Sequence, residues 1–184
     1  MGSIIQICGF PRSGTAFVSA FLNLHTSCIA YHELALKVDN SKELLYQKSK
    51  EYQFVVDVST YAFLESFVIK DSKKIFIKKD IQQSKLSLES AIGIGGLDYI
   101  YDTIQENVSN WLVEYQVPII RFDSLFEIKT LRKIWQYCFQ SDDFPEEKAL
   151  CFIDMNIQMK NPSIVLDSEI VNRFQKQNTL LCQQ

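Results

Sequence analysis

Apolar residues in this chain fall into short, nearly unbroken runs, separated by longer stretches where they recur every three or four positions. Residues 4–8 (IIQIC) form the first run, rich in β-branched side chains and closed by Gly9. A parallel strand buried on both faces has this appearance. Phe17, Phe21 and Leu24 follow at helical spacing and predict a helix from about Gly14 to about Asn23. Residues 28–31 read as a second short strand and 40–51 as a polar surface helix. The runs at 54–58 (FVVDV) and 75–77 (IFI) are two further strands, with a helix expected from about Tyr61 to Ile69 between them. Another helix follows Asp80. Gly93, Gly95 and Gly96 form a glycine-rich break with no strand before it, which reads as a helix terminus and turn rather than a dinucleotide loop. A helix from about Asp98 to Glu114, a strand over 118–122 and a helix over 124–139 complete the pattern.

Strands alternating with helices imply an α/β protein. The expected architecture is a three-layer αβα arrangement with a mainly parallel sheet and a strand-turn-helix at its start. With 184 residues, no internal repeat and no linker-like stretch, the chain is read as one domain over 1–184.

Composition narrows the function classes. A formal net charge of −3 argues against broad nucleic-acid or anionic-membrane binding, so any anion site must be local. Apolar stretches are interrupted well short of the roughly 20 residues a membrane helix needs. No signal-peptide pattern opens the chain. Met1-Gly2-Ser3 suggests myristoylation, but Gln6 stands where that pattern wants Ser or Thr. Cysteines 8, 28, 138, 151 and 182 are odd in number and contain no CxxC pair. Reduced thiols in a cytoplasmic protein are expected, with neither a zinc site nor a disulfide framework.

The segment that carries chemistry is GFPRSGTAF at 9–17. Glycines 9 and 14 have four residues between them, directly after a strand and before a helix. Such a turn gathers backbone N–H groups and the helix dipole around one point, which makes an anion site. The lysine of an ATP- or GTP-binding loop is missing. Thr15 takes its place, and Arg12 lies inside the turn.

PRSGT after an apolar strand resembles the 5′-phosphosulfate loop of the sulfotransferases, which use 3′-phosphoadenosine-5′-phosphosulfate (PAPS) as donor. The motif spacing is nearest to the protein-tyrosine branch. The resemblance implies that Ser13, Gly14, Thr15 and Ala16 hold the donor and that the Arg12 cation contacts the transferring sulfuryl group. In that branch a glutamate twenty-one residues after the loop cation is the base, and Glu33 stands there. IFIKKD at 75–80 is similar to the family's strand leading to the 3′-phosphate site. Lys79 takes the place of an arginine, and Ser87 stands eight residues later, as a serine does in the family. IIRFDSL at 119–125 is similar to a late strand of the family.

The sequence also departs from the family pattern. Ala16 replaces a threonine, Ile81 a proline and Phe122 a tyrosine, and no counterpart of the donor-covering C-terminal loop is found.

Each of these residues has a plainer alternative. Phe17 occupies the place of an adenine-stacking tryptophan but equally suits a core. Ser84 competes with Ser87 for the 3′-phosphate. His32 competes with Glu33 for the proton. On an extended segment neighbours point to opposite sides, so only one of that pair can face the loop, and Glu33 is preferred. His25 and Trp111 are assigned to packing. The function expected is sulfuryl transfer from PAPS to an acceptor hydroxyl, without a metal. The alternatives are a P-loop nucleotide or small-molecule kinase, with Asp57 as the candidate Mg²⁺ ligand, or a non-catalytic nucleotide-binding relative.

Overall fold

The computed structural model describes residues 1–34, 38–92, 95–96 and 98–153. In chain order these form β1 (Ser3–Gly9), α1 (Thr15–Leu22), β2 (Cys28–His32), α2 (Ser41–Lys48), β3 (Phe54–Val58), β4 (Lys73–Lys78), α3 (Ile81–Ile92), α4 (Asp98–Tyr115), β5 (Ile119–Arg121), α5 (Ile128–Phe139) and α6 (Glu146–Ile153). The strands pair in the order β2-β3-β1-β4-β5, and every pairing is parallel. β1 is therefore the central strand, and β2 and β5 are the edges.

Alternation along the strands sends side chains to the two faces of the sheet, where they form three hydrophobic clusters. Ile5, Ile7, Val56, Val58, Ile75 and Ile77 pack against α1, α5 and α6, where Phe21 and Trp135 are the large buried side chains. Ile4, Tyr31 and Val55 face α2, while Cys8 and Phe76 face α4 through Ile104, Val108 and Trp111. The three-layer αβα expectation holds. His25 packs its ring against Phe54 and Phe139, as the sequence suggested.

The helix expected over 61–69 is not formed, and successive turns occupy that segment. Its backbone groups are taken by two buried polar side chains from the strands. Gln6 accepts from the Ile69 N–H at 2.7 Å and donates to the Phe67 carbonyl at 2.9 Å. Lys74 donates to the carbonyls of Ile69, Lys70 and Ser72. Backbone groups satisfied in this way do not need the internal ladder of a helix.

Other differences are at boundaries. α5 begins at Ile128, because 122–124 form a single 3₁₀ turn and Glu127 remains extended. The strand expected over 118–122 contracts to three residues. α6 was not foreseen. Gly93 and Cys182 lie outside the described residues. Among the described residues no helix is long and apolar enough to cross a membrane.

Candidate functional site

The turn after β1 is shaped by its glycines. A Cβ on Gly9 would sit 2.3 Å from Ser13 Oγ, and one on Gly14 would sit 2.7 Å from Leu125 Cδ2. Gly14 also has φ +85°, a left-handed conformation that suits glycine. It is the N-cap of α1 and supplies no side-chain cap, so the N–H groups of the first helical turn are left for another acceptor. The Ser13 hydroxyl is buried and has no hydrogen-bond partner. A buried hydroxyl without a partner costs on the order of 1–3 kcal/mol, and an anion in the turn would satisfy it. The residues present therefore fit a bound phosphate or sulfate group.

On the β4 side of the turn, Arg12, Lys79 and Ser87 meet. Arg12 Nε donates to Ser87 Oγ at 3.3 Å, and Lys79 Nζ donates to the Arg12 carbonyl at 3.0 Å. Lys79 also lies over the Phe122 ring, 4.5 Å from its centre. Burial holds its ammonium below the ordinary lysine range, and the Arg12 charge adds to this while Asp123 opposes it. Lys78, the last residue of β4, is exposed. Ser84 is engaged elsewhere: its hydroxyl reaches the Pro11 carbonyl and lies 3.0 Å from the Tyr101 hydroxyl in a buried contact. Of the two competing serines, Ser87 is thus the one whose hydroxyl meets Arg12.

On the opposite side of the turn lies the end of β2. His32 Nε2 is 3.1 Å from Thr15 Oγ1, which places the imidazole against the start of α1. Glu33 Oε1 is 3.6 Å from the same nitrogen. Of the two, His32 is the one in contact with the loop, through Thr15, and Glu33 is held beside it. The strand ends at His32, and Glu33 adopts φ +56°, so the alternation of an extended chain no longer separates the two side chains. Thr60 holds the carboxylate, giving its N–H to Oε2 at 3.0 Å and its hydroxyl to Oε1 at 2.9 Å. Both side chains remain partly open to solvent, at 25 % and 15 % exposure.

Phe17 is corrected as well. It is buried, with its ring edge-on to Phe126 and Phe152, and it serves the core rather than a stacked base. Ala16, next to it on α1, is partly exposed at the first helical turn. Asp57 is 2 % exposed and accepts a hydrogen bond from the Ser59 hydroxyl at 2.5 Å, so it is enclosed rather than presented to a metal. Thr60 was not foreseen. Its place just beyond a predicted parallel strand, where such folds hold their ligands, was the available signal. Trp111 is a core residue of the α4 face, and its indole N–H is buried without a partner.

The class is an α/β fold with a parallel sheet and a glycine-shaped turn after its central strand. No protein-family model matches the chain, and no curated protein matches it. Among solved structures it is similar to a sulfotransferase domain from the curacin biosynthetic pathway. The TM-score is 0.56 and the identity 17 %, over 79 % of this chain and 76 % of that one. The fold of this chain is that of the sulfotransferases.

Proposed function

We propose that this chain transfers a sulfuryl group from PAPS to an acceptor hydroxyl. The observation that carries this is the position of the turn. The unpartnered Ser13 hydroxyl and the uncapped start of α1 lie between a cationic group (Arg12, Lys79, Ser87) and a proton-accepting pair (His32, Glu33). Ser13, Gly14, Thr15 and Ala16 would hold the 5′-phosphosulfate, with Lys79 and Ser87 on the 3′-phosphate.

Arg12 would stabilise the charge that develops on the oxygen between sulfur and the 5′-phosphate as that bond breaks. The acceptor oxygen forms the new bond to sulfur and loses its proton to the His32–Glu33 pair. The products are a sulfate ester and adenosine 3′,5′-bisphosphate. Glu33 already accepts two bonds from Thr60, and His32 is the member in contact with the loop through Thr15. The imidazole therefore receives the proton, and the carboxylate stabilises the resulting cation. A positioned base of this kind contributes roughly 10²–10⁴ in rate.

Calorimetry with adenosine 3′,5′-bisphosphate in the absence of metal tests the donor assignment. Saturable binding is expected, and it should be tighter than that of ATP with Mg²⁺. Tight ATP–Mg²⁺ binding with none for the bisphosphate would remove the proposal. With a panel of phenols and sugars as acceptors, His32→Ala and Glu33→Gln should each lower turnover while leaving bisphosphate affinity nearly unchanged. Bisphosphate binding with no effect of either substitution on any acceptor would point instead to a nucleotide-binding protein without transferase activity.

A further inference from the structure

Glu33 stands just beyond an edge strand, yet it is held from the end of β3 and the residues that follow it. Its φ of +56° is uncommon for a residue with a side chain, and its N–H donates to the Val58 carbonyl at 3.0 Å. Thr60 grips the carboxylate at both oxygens. The Thr60 N–H donates to Oε2 at 3.0 Å and the Thr60 hydroxyl to Oε1 at 2.9 Å. Oε1 is also the oxygen that lies 3.6 Å from His32 Nε2. Two donors suit an ionised carboxylate, which can only accept, and fixing both oxygens sets the plane in which it meets the imidazole.

Thr60 is in turn fastened to the central strand. Its carbonyl accepts from the Cys8 thiol at 3.3 Å, and the N–H of the residue before it, Ser59, donates to the Ile7 carbonyl at 3.0 Å. We propose that Thr60 is a positioning residue of this site. Anchored to β1, its hydroxyl holds Glu33 Oε1 beside the His32 ring. β1 also leads into the turn shaped by Gly9 and Gly14, so one strand places both the turn and the carboxylate. The proposal rests on the assignment of His32 and Glu33 as the proton-accepting pair.

The chain contains two histidines, His25 and His32, so their imidazole resonances can be followed by NMR on the whole protein without substrate. Glu33→Gln should lower the His32 titration midpoint by about one pH unit, as expected for loss of a charge partner at this range. Thr60→Val keeps the backbone N–H and the β-branched shape but loses the hydroxyl, so it should lower the midpoint towards the Glu33→Gln value. Thr60→Ser, which keeps the hydroxyl, should hold it near the wild-type value. Added to Glu33→Gln, Thr60→Val should bring little further change, because Thr60 acts through the carboxylate. Cys8, Asp57 and Tyr61 also feel the Glu33 charge and stay unaltered in every variant. His25, packed among Phe54, Trp135 and Phe139, reports in the same spectrum that the core is intact.

Should the valine variant not fold, Thr60→Ala also removes the hydroxyl and supports the same comparison. A His32 midpoint that Glu33→Gln lowers and a folded Thr60→Val or Thr60→Ala variant leaves unchanged or raises overturns the proposal. So does a serine variant that shifts as far as the valine one, or a midpoint that Glu33→Gln does not move. The titration makes no use of a sulfuryl donor. Failure of bisphosphate binding with the expected His32 shifts would therefore remove the sulfotransferase assignment and leave the role of Thr60 standing.

Discussion

Lys79 illustrates how much of this site depends on where one side chain points. Its neighbour Lys78 ends β4 in solvent, whereas Lys79 turns inward, takes the Arg12 carbonyl and lies over Phe122. Burial and the nearby guanidinium both disfavour its charge, and an anion bound between the two cations would reverse that. Lys79→Ala should therefore weaken adenosine 3′,5′-bisphosphate by about 10- to 100-fold, the range of a charge-assisted hydrogen bond. Adenosine 5′-phosphate, which lacks the 3′-phosphate, should bind nearly as before. Equal losses for both ligands in parallel calorimetric titrations would place Lys79 away from the 3′-phosphate.

Among the elements, the turn from β1 to α1 leaves its glycines no room for a side chain. Leu125 and Phe122 pack against the face of Gly14 where a Cβ would project, and that residue's φ of +85° already disfavours any side chain. Gly14→Ala should cost about 1–2 kcal/mol for the left-handed backbone alone, before any clash is counted. For a chain of this size that lowers Tm by about 2–8 °C, measurable by thermal denaturation. Loss of bisphosphate binding should accompany it, because the turn cannot keep its shape.

The elements also show what the sequence could disclose. β1, β3 and β4 were legible because a strand covered on both faces must be apolar almost throughout. The turn was legible because its glycines are spaced by backbone requirements. The segment at 61–69 was misread because the groups that replace its helical bonds, Gln6 and Lys74, lie on other strands and carry no local signal. The same limit applied at β2. Alternation correctly describes a strand, but nothing local to His32 and Glu33 shows that the strand stops between them, since Val58 and Thr60, which hold Glu33, come from a different part of the chain. Arg12 and Ser87, by contrast, were assigned by the resemblance to different groups of the donor, and nothing in the sequence showed that their side chains meet.

At the level of the whole molecule, the buried acid should leave a mark on stability. Burial pushes the Asp57 carboxyl from 3.8 up to about 7, and the Glu33 charge adds to the effect. Between those values the folded chain keeps a proton that the unfolded chain has lost. This contribution to stability is therefore complete below about pH 4 and is lost as pH rises through about 7. The titratable groups coupled to it are Glu33 from the end of β2 and Cys8 from β1. Tyr31, its register partner on β2, is raised well out of this window by burial. In denaturant titrations from pH 5 to pH 8, wild-type stability should decline more steeply than that of Asp57→Asn. Parallel slopes would mean that Asp57 does not titrate in this interval.

The strand order adds a consequence for how the molecule fails. The turn shaped by Gly9 and Gly14 follows β1, which has partners on both sides, whereas His32 ends β2, which has one, and Glu33 follows it. Edge strands open at lower free energy than central ones, so the two halves of the site differ in durability. Under the proposed function, gradual stress would remove deprotonation of the acceptor before it removed nucleotide binding.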